Sequence, residues 1–155
     1  MLAAMLMLSA TLSTSCPAFS EPAPPAGAVS VAVALGRYGE ICTRVWNGTP
    51  GPLDHGVYNS YQPDVRLERS THSYLWADQW EAQSSGLYHA VPAIDVWLRA
   101  IPAAGVFHTV LDHDARRLPP ARYRVCFRFW QGHEVRRREQ CSPPFHLPLQ
   151  EELSS

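Results

Sequence analysis

Apolar and polar residues alternate in short runs along most of the chain. Within 122–130, Tyr123, Val125 and Phe127 alternate with arginines and a cysteine, which is the period of two expected when one face of a β-strand is buried. Comparable runs, bounded by Gly, Pro, Asn or Asp, lie at 29–35, 40–46, 64–70, 95–101, 106–111, 122–130 and 134–141. The pattern predicts an all-β fold, a sandwich of about seven strands.

Helical patterning is weak by comparison. The 14 prolines are scattered through the chain, and no long window keeps an apolar repeat of 3.6 residues. In 72–83, Trp76 and Trp80 stand four positions apart and could share a helix face, although the same residues also suit an irregular strand and loop. The sequence leaves this one segment open.

The segment 47–63 is dense in Gly, Pro and Asn, and it predicts a long loop of the kind that is often functional. It begins with Asn47-Gly48-Thr49, which is formally a glycosylation acceptor. Because Asn-Gly is a strong turn pair, we expect a turn that ends the preceding strand instead. A long loop at 48–63 could enter a protease cleft, so a proteinase inhibitor is one functional alternative.

The first 20 residues have the features of an export signal. An apolar run from Leu2 to Leu12 is followed by small residues, and the run is too short for a permanent membrane anchor. No Lys or Arg precedes it, although such signals usually carry one. We therefore predict a signal peptide at 1–20 and an exported protein of the periplasm, the outer surface or the extracellular space.

The end of this signal allows two kinds of processing. Ordinary cleavage is expected at Ser15 or near Ala18-Phe19-Ser20, where small residues stand. The stretch before Cys16 also resembles the lipobox of bacterial lipoproteins, which makes Cys16 a candidate lipidation site. Contact with a membrane is expected only through such a lipid.

The remaining chain is long enough for one domain. Residues 21–28 are rich in Pro and Ala and predict an extended tether with no core to bury. We predict the β-sandwich over 29–147 and a disordered tail at 148–155.

Basic charge is concentrated in the last third of the chain. All 13 basic residues are arginine, so reactions that need a Schiff-base lysine are excluded. Residues 116–138 carry eight arginines against Glu134 alone. Arg124, Arg128 and Arg137 could form a stripe that binds phosphate or carboxylate groups, as on an anionic glycan. The alternative is a solvated strand face, partly neutralised by acidic neighbours, that protects a sheet edge.

Several motifs resemble the bacterial immunoglobulin-like domains of exported proteins. The stretches that carry the resemblance are 47–49 (NGT), Gly56, 67–69 (LER), 101–105 (IPAAG) and 118–125 (LPPARYRV). In the last of them, a turn leads into a strand headed by a tyrosine. The resemblance covers about 29–140 and implies a Greek-key sandwich of an exported, often surface-linked protein. It transfers no common catalytic residue, and fold alone does not determine function.

The alternation of side chains along the strands limits which of the four cysteines can bond. If Tyr123, Val125 and Phe127 face the core, Cys126 points outward with the neighbouring arginines. Cys42 also points outward, and two outward cysteines on opposite sheets about 10 Å apart cannot bond.

We therefore predict a Cys126–Cys141 disulfide across a four-residue loop at 132–135, a register that also sets Arg128 beside Glu139. Reduced cysteines, or a Cys42–Cys141 bridge, remain as alternatives. Cys42 is left over if Cys16 is removed or lipidated.

No motif in the sequence specifies a reaction. The chain has no HExxH, no GxSxG and no glycine-rich phosphate loop. Asp112, His113 and Asp114 lie near His108, but this grouping is more typical of turn hydrogen bonds than of a metal site. We predict no catalytic residue, metal or cofactor.

The function that we expect is that of a non-enzymatic, immunoglobulin-like module with a binding or structural role at the cell envelope or outside the cell. Its partner would be an unidentified protein or envelope component. The alternatives are the proteinase inhibitor and a polyanion binder that uses the arginine-rich hairpin. Specific nucleic-acid recognition is not expected.

Overall fold

A computed structural model describes residues 16–19, 23–58, 62–72, 78–83 and 96–148. In these ranges the chain forms eleven β-strands and one 3₁₀ turn, Ala115–Arg117. The strands are β1 (Val29–Leu35), β2 (Glu40–Asn47), β3 (Leu53–Tyr58), β4 (Gln62–Pro63), β5 (Val65–His72), β6 (Asp78–Ala82), β7 (Val96–Ile101), β8 (Val106–Asp114), β9 (Ala121–Gln131), β10 (Arg138–Cys141) and β11 (Phe145–Leu147). None of the described segments is a helix long and apolar enough to cross a membrane.

Two antiparallel sheets form a sandwich, as the alternating pattern predicts. The small sheet has the order β1-β2-β8. The large sheet has the order β4-β3-β9-β5-β6, with β10 and β11 also pairing with β9 and with β7 pairing with β3. The chain changes sheets between β2 and β3, between β7 and β8, and again between β8 and β9, so consecutive strands repeatedly lie in different layers.

The hydrophobic core lies between the two sheets. Its largest fully buried side chains include Tyr123 and Phe127 of β9, Ile41 and Val45 of β2, and Leu67 of β5. Within each strand these residues occupy alternate positions, so each strand presents one apolar face to the opposite sheet. Burying a side chain of this size contributes about 1.5–3 kcal/mol.

The crossover from β8 to β9 is held by the tyrosine at the head of β9. Tyr123 is fully buried, and its hydroxyl donates to the carbonyl oxygen of Pro119 at 2.7 Å. Asp114 caps the preceding 3₁₀ turn by accepting a hydrogen bond from the backbone N–H of Arg116. A tyrosine bonded back to the chain just before its own strand restrains a crossover of this kind in β-sandwiches.

Asn47 ends β2 and joins two loops to the strand. Its fully buried side-chain amide donates to the carbonyl oxygens of Gly51, Ile101 and Pro102 at 2.8–3.0 Å. Its Oδ1 accepts from the backbone N–H and the hydroxyl of Thr49. The strand therefore stops where the turn pair predicts, and the buried amide is not accessible to glycosylation in the folded protein.

The close approach of two backbones explains the glycine after Asn47. Gly48 exchanges backbone hydrogen bonds with Ala28 and Gly27, each at 2.8 Å. A Cβ on Gly48 would lie 2.5 Å from the carbonyl oxygen of Ala28, which no side chain tolerates. The end of the predicted tether thus lies against the sandwich.

The prediction of a long loop at 48–63 is wrong. Leu53–Tyr58 forms β3, which pairs along its whole length with β7, and Gln62–Pro63 forms the short β4. His55 is 1% exposed, with ring centroids 5.0 Å from Phe107 and 5.5 Å from Phe127. A histidine fills a core position here, so the apolar alternation that identifies a strand is hidden in the sequence.

Other boundaries also differ from the prediction. The last predicted strand, 134–141, is shorter, because pairing with β9 begins at Arg138. In 72–83, the segment Asp78–Ala82 is a strand, while 73–77 lies outside the described residues. Most of the predicted signal at 1–20 and of the tail at 148–155 also lies outside them.

We predict that His55 makes the fold sensitive to acid. Its removal from water disfavours the charged imidazolium and lowers the pKa of His55 below its ordinary value. Between this lowered pKa and the ordinary value near 6.5, the unfolded chain binds the proton and the folded chain does not. The neutral His55 ring therefore makes its full contribution to the free energy of unfolding above about pH 6.5. This contribution decreases as the pH falls, by at most about 1.4 kcal/mol per pH unit.

Urea unfolding of His55→Leu between pH 7 and pH 5 measures this effect. The free energy of unfolding should depend less on pH in this variant than in the wild type, because the contribution of His55 is lost. His146→Leu, which changes an exposed histidine of β11, is the matched control and should keep it. Equal pH dependence in wild type and His55→Leu would refute the assignment.

Candidate functional site: the charged outer face of the large sheet

The outer face of β9 carries the residues singled out in the sequence. Because Tyr123, Val125 and Phe127 occupy the core, Arg124, Cys126 and Arg128 lie on the opposite face of the strand. One edge of β9 pairs Arg66 and Glu68 of β5 with Cys126 and Arg124. The other edge pairs Glu139 and Cys141 of β10 with Arg128 and Cys126. Residues from three strands are thus neighbours on one face.

A disulfide joins the two cysteines of this face. Cys126 and Cys141 are directly opposite each other, with a Cα–Cα distance of 4.0 Å and an S–S distance of 2.03 Å. The register is the one that parity and a loop at 132–135 predict, with Glu139 opposite Arg128. The bridge fastens β10, a strand with exposed side chains, to the centre of the large sheet.

The expectation that Cys126 lies at the outer surface needs a correction. Its side chain points away from the core but is 0% exposed. Arg66, directly across from Cys126 on β5, extends over this position from Glu68 to Glu139. An aliphatic arginine stem can cover apolar surface while its head remains polar, so the Cys126 end of the disulfide lies under a layer of charge, whereas Cys141 is half-buried.

The charged side chains form one continuous chain of ion pairs. In order across the sheet, its members are Arg124, Glu68, Arg66, Glu139 and Arg128. The successive N–O distances are 2.7, 2.6, 2.8 and 3.0 Å. The side chain of Glu68 is 4% exposed and receives hydrogen bonds from guanidinium groups on both sides. A carboxylate so deeply buried requires such partners.

Two tryptophans extend this surface. The Arg124 guanidinium lies over the ring of Trp80 on β6, 4.3 Å from its centroid. Arg137 lies over the ring of Trp130 at 4.1 Å and also contacts the carboxylate of Asp64 at 3.0 Å. The rings orient the guanidinium planes through cation–π contacts.

The candidate anion site therefore consists of arginines that already contact carboxylates. Arg124, Arg128 and Arg137 each have a carboxylate within 3.0 Å. The five-member chain contains three arginines and two glutamates, so its formal charge is only +1. An anionic ligand would have to compete with these internal carboxylates, of which Glu68 is the most buried. The arrangement favours the alternative of a neutralised strand face.

Strand parity in 64–70 could have located the missed members of this chain. Arg66 and Glu68 alternate with Val65 and Leu67, which are buried in the core. What the sequence does not show is that β5 is the neighbour of β9, since partners such as Glu68 and Arg124 are 56 positions apart along the chain.

Metal-ligating side chains do not assemble into a credible site in the described ranges. The group with suitable distances is Glu68, Cys126 and Cys141, but both sulfurs are bonded to each other. In the acidic segment near His108, Asp114 accepts hydrogen bonds from the Arg116 side chain at 2.8 and 2.9 Å. These bonds lower the pKa of Asp114 to about 2, so this carboxylate acts in turn formation.

A second disulfide lies on the small sheet. Cys16 is bonded to Cys42 of β2, with a Cα–Cα distance of 5.8 Å. Cys42, which we expected to be left over if Cys16 were removed or lipidated, therefore has a partner in the structure. All four cysteines of the chain are oxidised.

Comparison with protein-family models, curated proteins and solved structures finds no match to this chain.

We predict that Glu68 contributes far more to stability than an exposed glutamate. Glu68→Gln keeps the shape of the side chain but leaves Arg66 and Arg124 without their shared counter-charge. Because both arginines retain some solvent, we expect a loss of about 1–3 kcal/mol in the free energy of unfolding.

The control is Glu134→Gln, which removes the more exposed ion pair with Arg138 and should cost less than about 1 kcal/mol. Urea unfolding of both variants at neutral pH measures the difference. A loss for Glu68→Gln no larger than that of Glu134→Gln would show that the ion-pair chain is not important for folding.

Proposed function

We propose that this chain is an exported, non-enzymatic module of the bacterial immunoglobulin-like type, with a binding or structural role at the cell envelope or outside the cell. The observation that carries the proposal is the oxidation of all four cysteines, with one bridge on each sheet. Disulfides of this kind persist in oxidising compartments and are rare in the cytosol. The apolar run from Leu2 to Leu12 supports the same location.

The immunoglobulin-like assignment is supported by connectivity and by one side chain. The chain alternates between layers in the manner of a Greek key, and Tyr123 at the head of β9 bonds back to Pro119. Both features are common in immunoglobulin-like sandwiches.

A binding or structural role is supported by the way polar side chains are used on the charged face. Within the described ranges, the side chains of this face are engaged with one another: arginine with carboxylate, arginine with tryptophan, cysteine with cysteine. Such mutual satisfaction makes a rigid surface, whereas a catalytic group needs contact with a substrate. The polyanion alternative is less well supported, because its arginines are already paired.

The inhibitor alternative loses its structural basis. The inhibitor alternative needs residues 48–63 to form a loop. Within this segment, Leu53–Tyr58 is a strand that pairs with β7 along its whole length, and its first two residues also pair with β9. A strand held inside a sheet does not present an extended loop to a cleft.

Expression of the full chain with its own leader in a bacterial host tests the export proposal. We expect the protein in the periplasm or the medium. Replacing Leu6 and Leu8 with arginine should retain it in the cytosol, because charges interrupt the apolar run. The matched control replaces the same two leucines with isoleucine and should export normally. Cytosolic wild-type protein would contradict the proposal.

A further inference from the structure

Residues 16–19 lie against the outer face of the small sheet and contact two of its strands. The sulfur of Cys16 is bonded to Cys42 on β2. The Phe19 ring lies 5.0 Å from the Arg44 guanidinium on β2 and 5.7 Å from the His108 ring on β8. The segment is therefore fastened at one end by a covalent bond and at the other by ring contacts.

The burial of Cys42 requires a cover on this face. Ile41 and Val45 point into the core, so Cys42 points away from it, yet Cys42 is only 1% exposed. A crevice of about 240 Å³ next to it is lined by Cys16 and Phe19 together with residues of β2 and β8. Residues 16–19 supply part of the wall that separates the Cys42 sulfur from water.

We infer that residues 16–19 remain in the mature protein, so that removal of the leader ends before Cys16 and the Cys16 sulfur becomes a disulfide partner instead of a lipid attachment point. This inference rests on the proposed export. The bond between Ser15 and Cys16 suits such a cut, since Ser13 and Ser15 provide the small residues that a signal peptidase requires.

The two other processing routes conflict with this geometry. Cleavage after Ser20 would separate Cys16 and Phe19 from the domain and leave Cys42 without its partner. Lipidation of Cys16 would place a thioether on the sulfur that bonds Cys42, and a sulfur atom that carries a thioether cannot also form a disulfide. Either route would leave one thiol, on Cys42.

The Cys16–Cys42 disulfide forms by ordinary thiol–disulfide exchange. The thiols of Cys16 and Cys42 lose two protons and two electrons and form one S–S bond. The electron acceptor is an oxidised thiol–disulfide oxidoreductase of the export compartment, whose own disulfide is reduced to a dithiol.

The test begins with the exported form of the full chain. Free thiols are blocked with an alkylating reagent under denaturing conditions, and the intact mass is measured. We expect no alkylation and an N-terminus at Cys16 or earlier. Tryptic digestion without reduction should release the peptide ending at Arg37 linked to peptide 38–44, and separately 125–128 linked to the peptide that begins at Glu139.

Two results would overturn the inference. One is a lipid mass on Cys16, and the other is an N-terminus after Cys16; both should appear with one alkylated thiol on Cys42. Cys42→Ser is expected to leave one alkylated thiol, on Cys16. Its control, Cys141→Ser, should leave one on Cys126 and keep the Cys16–Cys42 link. If either variant fails to accumulate, the peptide map of the wild type still shows whether Cys16 is linked to Cys42.

A second arm separates this inference from the export proposal. The full chain is reduced, denatured and refolded in a glutathione redox buffer, and the same peptides are mapped. If the protein is not exported but refolds with the Cys16–Cys42 link, the export proposal fails while residues 16–19 stand as part of the fold. Refolding with Cys16 unpaired or randomly paired overturns the inference, whatever the location of the protein.

Discussion

Strand β9 pairs along both of its edges, and the alternation of its side chains sets the chemistry of both faces. β5 pairs along one edge, and β10 and β11 pair along the other. One face places Tyr123 and Phe127 in the core, and the other holds the disulfide and the ion-pair chain. A shift of one residue in its register would exchange these two sets, placing arginines in the core and aromatic rings outside. The high cost of that exchange fixes the architecture of the large sheet.

The same strand explains why the charges of the outer face are paired. Its arginines stand opposite glutamates of β5 and β10, so pairing in the sheet also pairs the charges. Arg66 then covers Cys126, which buries this end of the Cys126–Cys141 bridge although strand parity places it outside the core. Backbone register, covalent bond and ion pairs therefore support one another on this face.

Local patterning was sufficient to predict the features that depend on neighbours along the chain. The strands at 29–35 and 122–130, the inward aromatic face of β9 and the hairpin register around 132–135 all follow from alternation with a period of two. β3 was missed because His55 occupies a core position and the neighbouring Gly and Asp residues resemble a loop. The partners of Arg124 and Cys42 could not be predicted, because Glu68 and Cys16 are brought to them by pairings between distant segments. Such pairings depend on the order of the strands in the sheets, and the residues of a single segment do not indicate this order.

Amide hydrogen exchange, resolved by residue in the native protein, tests the central position of β9 most directly. Because this strand is bonded on both edges and covered on both faces, the amides from Tyr123 to Phe129 should exchange only on global unfolding and should be the slowest in the chain. Amides of the edge strand β1 should exchange faster, and those of 132–137 fastest. Exchange of the β9 amides at the rate of residues 132–137 would contradict the account, since it would mean that the strand on which both faces depend is not the stable centre of the sheet.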